Sequence, residues 1–232
     1  MRKDNSTPTS AITKDTLPIS VNENGEVYQL AKKYPPTDDD IALFMKKRDE
    51  DSYIQLRFFD ADIHWESLLY DLVAADKFSI NLANLNIANC VSEGLSDAGV
   101  GKNSKRIAIH YLEKWKRHAV EKYAGKILDV FSEKVIDNKE LYTPRITTKS
   151  TMLLRLKVSC LKGSCEAYDS LKVQLSSGNM YGTMMYYSYI MADRYDYVPA
   201  KKDICEVANR FYKEFHLGDY GETMHYFLSY FK

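Results

Sequence analysis

From Thr37 onward the apolar residues recur at steps of three and four, the spacing of one helix face, and Gly or Pro cuts the pattern into segments of helical length. Thr37 is a good N-cap, Asp38, Asp39 and Asp40 fill the turn after it, and Lys46, Lys47 and Arg48 fall at the other end. That charge order complements the helix dipole, so the acidic and basic runs are assigned to capping and to no ligand. Asp62 to Lys77 presents Ile63, Leu68, Leu69, Leu72 and Val73 on one side; residues 80 to 93 carry Ile80, Leu82, Ala83, Leu85, Ile87, Ala88 and Val91, with Gly94 as a natural stop. Ser104 is placed to cap the next helix, whose stripe is Ile107, Ala108, Tyr111, Leu112 and Trp115. Residues 119 to 136 repeat the pattern through Val120, Tyr123, Ala124, Ile127, Leu128, Phe131 and Val135.

Thr143-Pro144 has the order of a cap followed by proline at the first helical position, and its helix runs to about Leu161. Gly163 breaks it, Ser164 starts another, and Gly178 ends that one. Residues 180 to 195 follow, then Pro199 opens a helix through Phe215, and Gly218 separates it from a last helix ending near Phe231. The count is about nine or ten helices joined by short loops. After residue 36 only Tyr53 to Phe59 leaves a strand open. Before it, Asn24-Gly25 between Ile19/Val21 and Val27/Tyr28 signals a short hairpin, and Tyr34-Pro35-Pro36 stops regular structure. The sequence thus predicts an all-α fold: a leader, irregular or hairpin, over 1–36 and an α-helical domain over 37–232.

The 232 residues are 45% hydrophobic, enough for a sizeable core. Lys+Arg and Asp+Glu are each 32, so overall charge favours neither nucleic acid nor a membrane surface as partner. No apolar run approaches the ~20 residues of a membrane span. Met1 to Ser20 has no apolar signal core. Two compartments stay open: the cytoplasm for the chain as it stands, or the periplasm, with a lipid anchor before the Ser/Thr-rich start, for a chain whose signal was removed. Cys90, Cys160, Cys165 and Cys205 form no CxxC pair, and no His has finger spacing, so no metal is assigned. Buried single thiols are the plain expectation; in an oxidising compartment Cys160 and Cys165 are placed to bridge across Gly163.

Residues 81 to 115 form the clearest unit: a helix ending in Glu93-Gly94, a loop containing Gly99-Val100-Gly101-Lys102-Asn103, then Ala108-x-x-Tyr111-x-x-Lys114. This unit resembles the Sel-one-like repeat, a relative of the tetratricopeptide repeat, with Trp115 standing where that family usually has Ala. A weaker copy lies within Ala167 to Phe215 at irregular spacing. The resemblance implies an α/α solenoid with a concave protein-binding face, and members with degenerate repeats often look like bacterial immunity or adaptor proteins.

Constellations for chemistry are thin. Ala98 to Ser104 departs from a phosphate loop, because Ser96 occupies the first Gly position and Asn103 the hydroxyl position. His64, His110, His118, His216 and His225 fall in no H-E-x-x-H, and there is no G-x-S-x-G. No catalytic, cofactor-binding or metal residue is assigned, and the chain is expected not to be an enzyme.

Two features point to a partner. Residues 102 to 122 hold Lys102, Lys105, Arg106, Lys114, Lys116, Arg117 and Lys122 against Glu113 and Glu121, a local excess suited to an acidic partner or simply to a solvated face. Met180 to Met191 is apolar nearly all round, so it is either buried on several sides, the plainer reading, or shows part of itself to a partner. With Met184, Tyr187 and Met191 turned to a neighbouring helix, Tyr181, Met185, Tyr186 and Tyr189 stay partly free, unless the phase is offset by one residue. Tyr181, Tyr186 and Tyr189, with Lys114 and Arg117, are the expected partner-binding residues. The expected function is protein binding, sharpened to an immunity protein that neutralises a toxin or secreted effector; an adaptor in a bacterial assembly and an enzyme of unrecognised type are the alternatives.

Overall fold

The structure, a computed structural model, describes residues 19–21, 27–29, 38–57, 64–93, 101–118, 152–176 and 180–232. Ile19–Val21 (β1) and Val27–Gln29 (β2) pair antiparallel, with Ser20 opposite Tyr28. Everything else regular is helical: α1 Asp38–Lys47, α2 Glu50–Arg57, a 3-10 turn His64–Ser67 running into α3 Leu68–Lys77, α4 Asn81–Glu93, α5 Ser104–Lys116, α6 Met152–Leu161, α7 Cys165–Leu175, α8 Tyr181–Arg194, α9 Val198–Glu214 and α10 Glu222–Leu228. The periodic segment 119–136, the Thr143-Pro144 start and the stops at Gly94 and Gly178 lie outside the described residues. The strand left open at Tyr53 to Phe59 is helix as far as Arg57, because Tyr53, Ile54 and Leu56 are all drawn into the core.

Chain neighbours pack on one another: α1 with α2, α3 with α4, α4 with α5, α6 with α7 and α8 with α9. Several of these helices gather on α8, which touches the 3-10 turn, α3, α6, α7 and α9. Enclosure on several sides is what a helix apolar nearly all round requires. Here Met185, Tyr186, Tyr189, Ile190 and Met191 are all at or below 1% exposure. Facing them, α3 contributes Leu68, Leu69 and Leu72, and α4 and α5 add Ile87, Val91, Ile107, Tyr111 and Trp115. Each such side chain withdrawn from water contributes about 1.5–3 kcal/mol.

Buried polar groups then fix how the helices meet. Asp76 near the end of α3 accepts from the Tyr212 hydroxyl at 2.6 Å and from the Gly221 and Met224 amides at 2.9 and 3.2 Å, capping α10 from another helix. Any side chain at Gly221 would meet that carboxylate, 2.5 Å from its Cβ. Between α6 and the 3-10 turn, buried Lys157 pairs with Glu66 at 2.6 Å, and Thr183 of α8 donates to the same carboxylate. Tyr53 of α2 donates to the fully buried Asp71 of α3 at 2.5 Å and accepts from Asn86 of α4 at 2.7 Å.

Candidate interaction face

The two faces of α5 differ in kind. Inward it buries Ile107, Ala108, Tyr111 and Trp115 completely, with Leu112 at the margin. The Asn81 side chain reaches across from α4 to donate to the Trp115 carbonyl at 3.1 Å. On the opposite arc, at 100° per residue, lie Lys105, Arg106, Ile109, Glu113, Lys116 and Arg117, all exposed. Lys102, in the turn before the helix, is exposed beside them. The five cations make no ion pair and no side-chain hydrogen bond among the described residues. Ile109 lies in their midst, 46% exposed.

One flank of this arc is closed by α10. His110 stacks on Tyr226 with ring centroids 3.5 Å apart, and Tyr226 and Tyr230 share a hydroxyl hydrogen bond of 2.8 Å. Tyr111 donates to the Thr223 carbonyl at 2.7 Å, and Lys114 donates to the Thr223 hydroxyl at 2.9 Å with Glu222 at 3.9 Å. Burial, then the Lys114 charge, holds the His110 imidazole below its ordinary pKa. Its Nε2 is buried without a hydrogen-bond partner among the described residues.

The turn at 101–104 is occupied by protein. Asp193 of α8 accepts from the Asn103 amide at 2.8 Å, the Ser104 amide at 3.1 Å and the Ser104 hydroxyl at 2.6 Å. Its own carbonyl accepts from the Lys102 amide. Amides that a phosphate loop would offer are thus already bonded to a carboxylate. Ser104, expected as the cap of α5, is the first helical residue, and Asp193 does the capping from a distant helix.

The structure corrects the tyrosine expectation. Tyr186 and Tyr189 are 1% and 0% exposed, and Tyr181 is 5% exposed. Tyr189 shares a hydrogen bond with the Ser104 hydroxyl and stacks near Phe227 and Phe231. Tyr186 meets Tyr187 edge to face. Tyr181 meets Phe211, its hydroxyl donates to Glu214, and Arg210 lies over its ring. The single free stripe assumed for this helix fails because neighbours cover it from several directions. Of the residues expected at the interface, Lys114 is tied to α10 and Arg117 is exposed and unpaired; the tyrosines lie in the core rather than beside them.

A small cleft of about 50 Å³ opens between α7, α8 and α9, lined by Leu175, Met180, Met184 and Val207 with Lys172 and Arg210 at its edge. Lys172 is already paired to Asp203, which also accepts from the Tyr168 hydroxyl at 2.7 Å. Lys172 and Asp203 thus satisfy each other, Glu206 pairs with Lys202 and Arg210 lies over the Tyr181 ring, so these groups do not converge on a ligand. Among the described residues no three His, Cys, Asp or Glu side chains gather to hold a metal, and no helix is long and apolar enough to cross a membrane. Of the residues expected at an interface, Arg117 falls on the outward arc of α5 with other cations of the basic run; the residue there that the sequence reading did not single out is Ile109, an apolar residue on the polar side of an otherwise regular pattern. No family model, curated protein or solved structure matches the chain.

Proposed function

We propose that the chain is a protein-binding helical module, acting by association rather than by turnover. The observation that carries this is the outward arc of α5: Lys102, Lys105, Arg106, Lys116 and Arg117, exposed and unpaired, in a chain whose net charge is zero. A surface that leaves that much like charge unbalanced repels itself and is relieved by an oppositely charged partner. The α4–α5 pair also contains the residues that resemble a Sel-one-like repeat, although α8 and α10 reach back to α3 instead of contacting only chain neighbours as stacked repeats do. On that likeness the partner is a toxin or secreted effector and the module its immunity protein.

The experiment is cross-linked co-purification from the native source at low salt, with wild type and with a Lys105→Glu/Arg106→Glu variant, followed by reconstitution with the purified partner. A stoichiometric protein partner is expected. Its inhibition by the module would separate neutralisation from scaffolding. If no protein associates with either form, the reading fails.

A further inference from the structure

Resting on that reading, we infer that the α5 arc docks a short acidic segment of its partner carrying one apolar residue that covers Ile109. The geometry gives the spacing. Lys105 and Arg106 lie about one turn before Ile109 and Lys116 and Arg117 about two turns after it, so the two cation pairs flank it at roughly 5 Å and 11 Å along the axis. Ile109 shares its exposed arc with two cation pairs, whereas the other exposed large apolar residues among those described, Leu43, Met152, Val173, Met180 and Val198, have at most one such pair on their own helix face. Single exposed apolar residues are ordinary on a surface. One ringed by charges that have no partner of their own has the form of an anchor inside a polar rim.

Glu113 sets the register. It lies on the same arc between Ile109 and the second cation pair, so the partner position opposite it is neutral or basic. The same carboxylate and the apolar anchor disfavour a nucleic acid, whose phosphates would run past both. Among the described residues the tyrosine rings that flank the arc are committed, Tyr226 to His110 and to Tyr230, and so do not offer a base a face to stack on.

The test uses the full chain and a fluorescein-labelled peptide of about 12 residues, one leucine between two glutamate clusters in an extended spacing. Anisotropy is read at about 50 and about 300 mM salt, on either side of the range where exposed charges are screened. Expected is binding that weakens at higher salt, falls at least about tenfold with Lys105→Glu/Arg106→Glu, and falls about three- to tenfold with Ile109→Ser or with the peptide leucine changed to serine. A Lys213→Glu control on α9 is expected to leave it unchanged. The double reversal places acids in the first turn of α5, where the helix dipole favours them, so lost binding is not lost folding. An unaltered melting temperature checks this.

Equal affinity for the serine peptide, tighter binding of a single-stranded oligonucleotide of matched length, or indifference to the charge reversals overturns the inference. A protein partner captured natively whose affinity ignores Lys105→Glu/Arg106→Glu overturns it too, while leaving the module reading in place.

Discussion

The Asp193 carboxylate, at the end of α8, holds the first turn of α5 through Ser104, accepting its hydroxyl at 2.6 Å and its amide at 3.1 Å across 89 residues of chain. Gly101 makes the approach possible, since a Cβ there would lie 1.9 Å from the same carboxylate. Asp193→Ala leaves buried donors unpaired and removes a cap, and is expected to cost about 3 kcal/mol. Gly101→Ala is expected to destabilise by pushing that carboxylate away. Chemical denaturation of both single variants and the double checks the link: the double is expected to cost clearly less than the sum. Additive costs would show that the two residues act apart.

Trp115, Tyr186 and Tyr189 are all at or below 1% exposure, so they are expected to behave as core. Alanine at any of them is expected to cost about 3–5 kcal/mol in urea unfolding. Tyr189→Phe removes one hydroxyl that bonds Ser104 and is expected to cost only about 1 kcal/mol. A loss below roughly 1 kcal/mol for Tyr186→Ala would return that ring to the list of surface contacts.

Among the described residues, the three guanidinium nitrogens of Arg194 are buried with no hydrogen-bond partner. A buried cation without an acceptor is a cost to the fold, and an apolar side chain of similar length removes it. Arg194→Met is expected to hold or raise the melting temperature. A sharp fall would mean that the charge is compensated through the field of the surrounding groups.

The His110 imidazole has its pKa lowered by burial and by Lys114, so the unfolded chain binds its proton more readily than the folded one. Stability from this group is therefore complete above the unfolded value near 6.5 and declines as pH falls below it. Melting temperatures between about pH 7 and 5 are expected to fall less steeply for His110→Gln than for wild type. Parallel profiles would remove His110 from the acid response.

Cys165 is exposed and Cys160 is buried, with burial pushing the Cys160 thiol up to about 12. Maleimide labelling followed by mass spectrometry is expected to modify Cys165 in the native protein and Cys160 only on unfolding. Equal rates would show that the α6–α7 corner opens readily.

Local chemistry is where the sequence was readable. The stripe Ile107, Ala108, Tyr111, Leu112 and Trp115 is buried as its spacing requires. Ser164 does cap α7, accepting the Ala167 amide at 3.2 Å, and Pro199 lies in the first turn of α9. Gly163 breaks the chain between α6 and α7 at a φ of +85°, where a side chain is unfavourable. Each of these is settled by residues within a turn or two of one another, so spacing alone is enough to show it.

Tertiary structure decided the rest, because it depends on groups far apart in the chain. A carboxylate from α8 caps α5 and one from α3 caps α10, neither marked by any local signature. The phase of the Tyr/Met helix was misread because an all-round apolar pattern does not say which sides neighbours will cover. Enclosure by α3, α6, α7 and α9 turned its tyrosines from contact surface into core. By itself the sequence determined that the described segments from residue 38 onward are helical and where α5 places its cations, since helical period fixes which residues share a face. Which of those faces meets solvent was settled only when the helices packed, since burial is a property of the assembled neighbours.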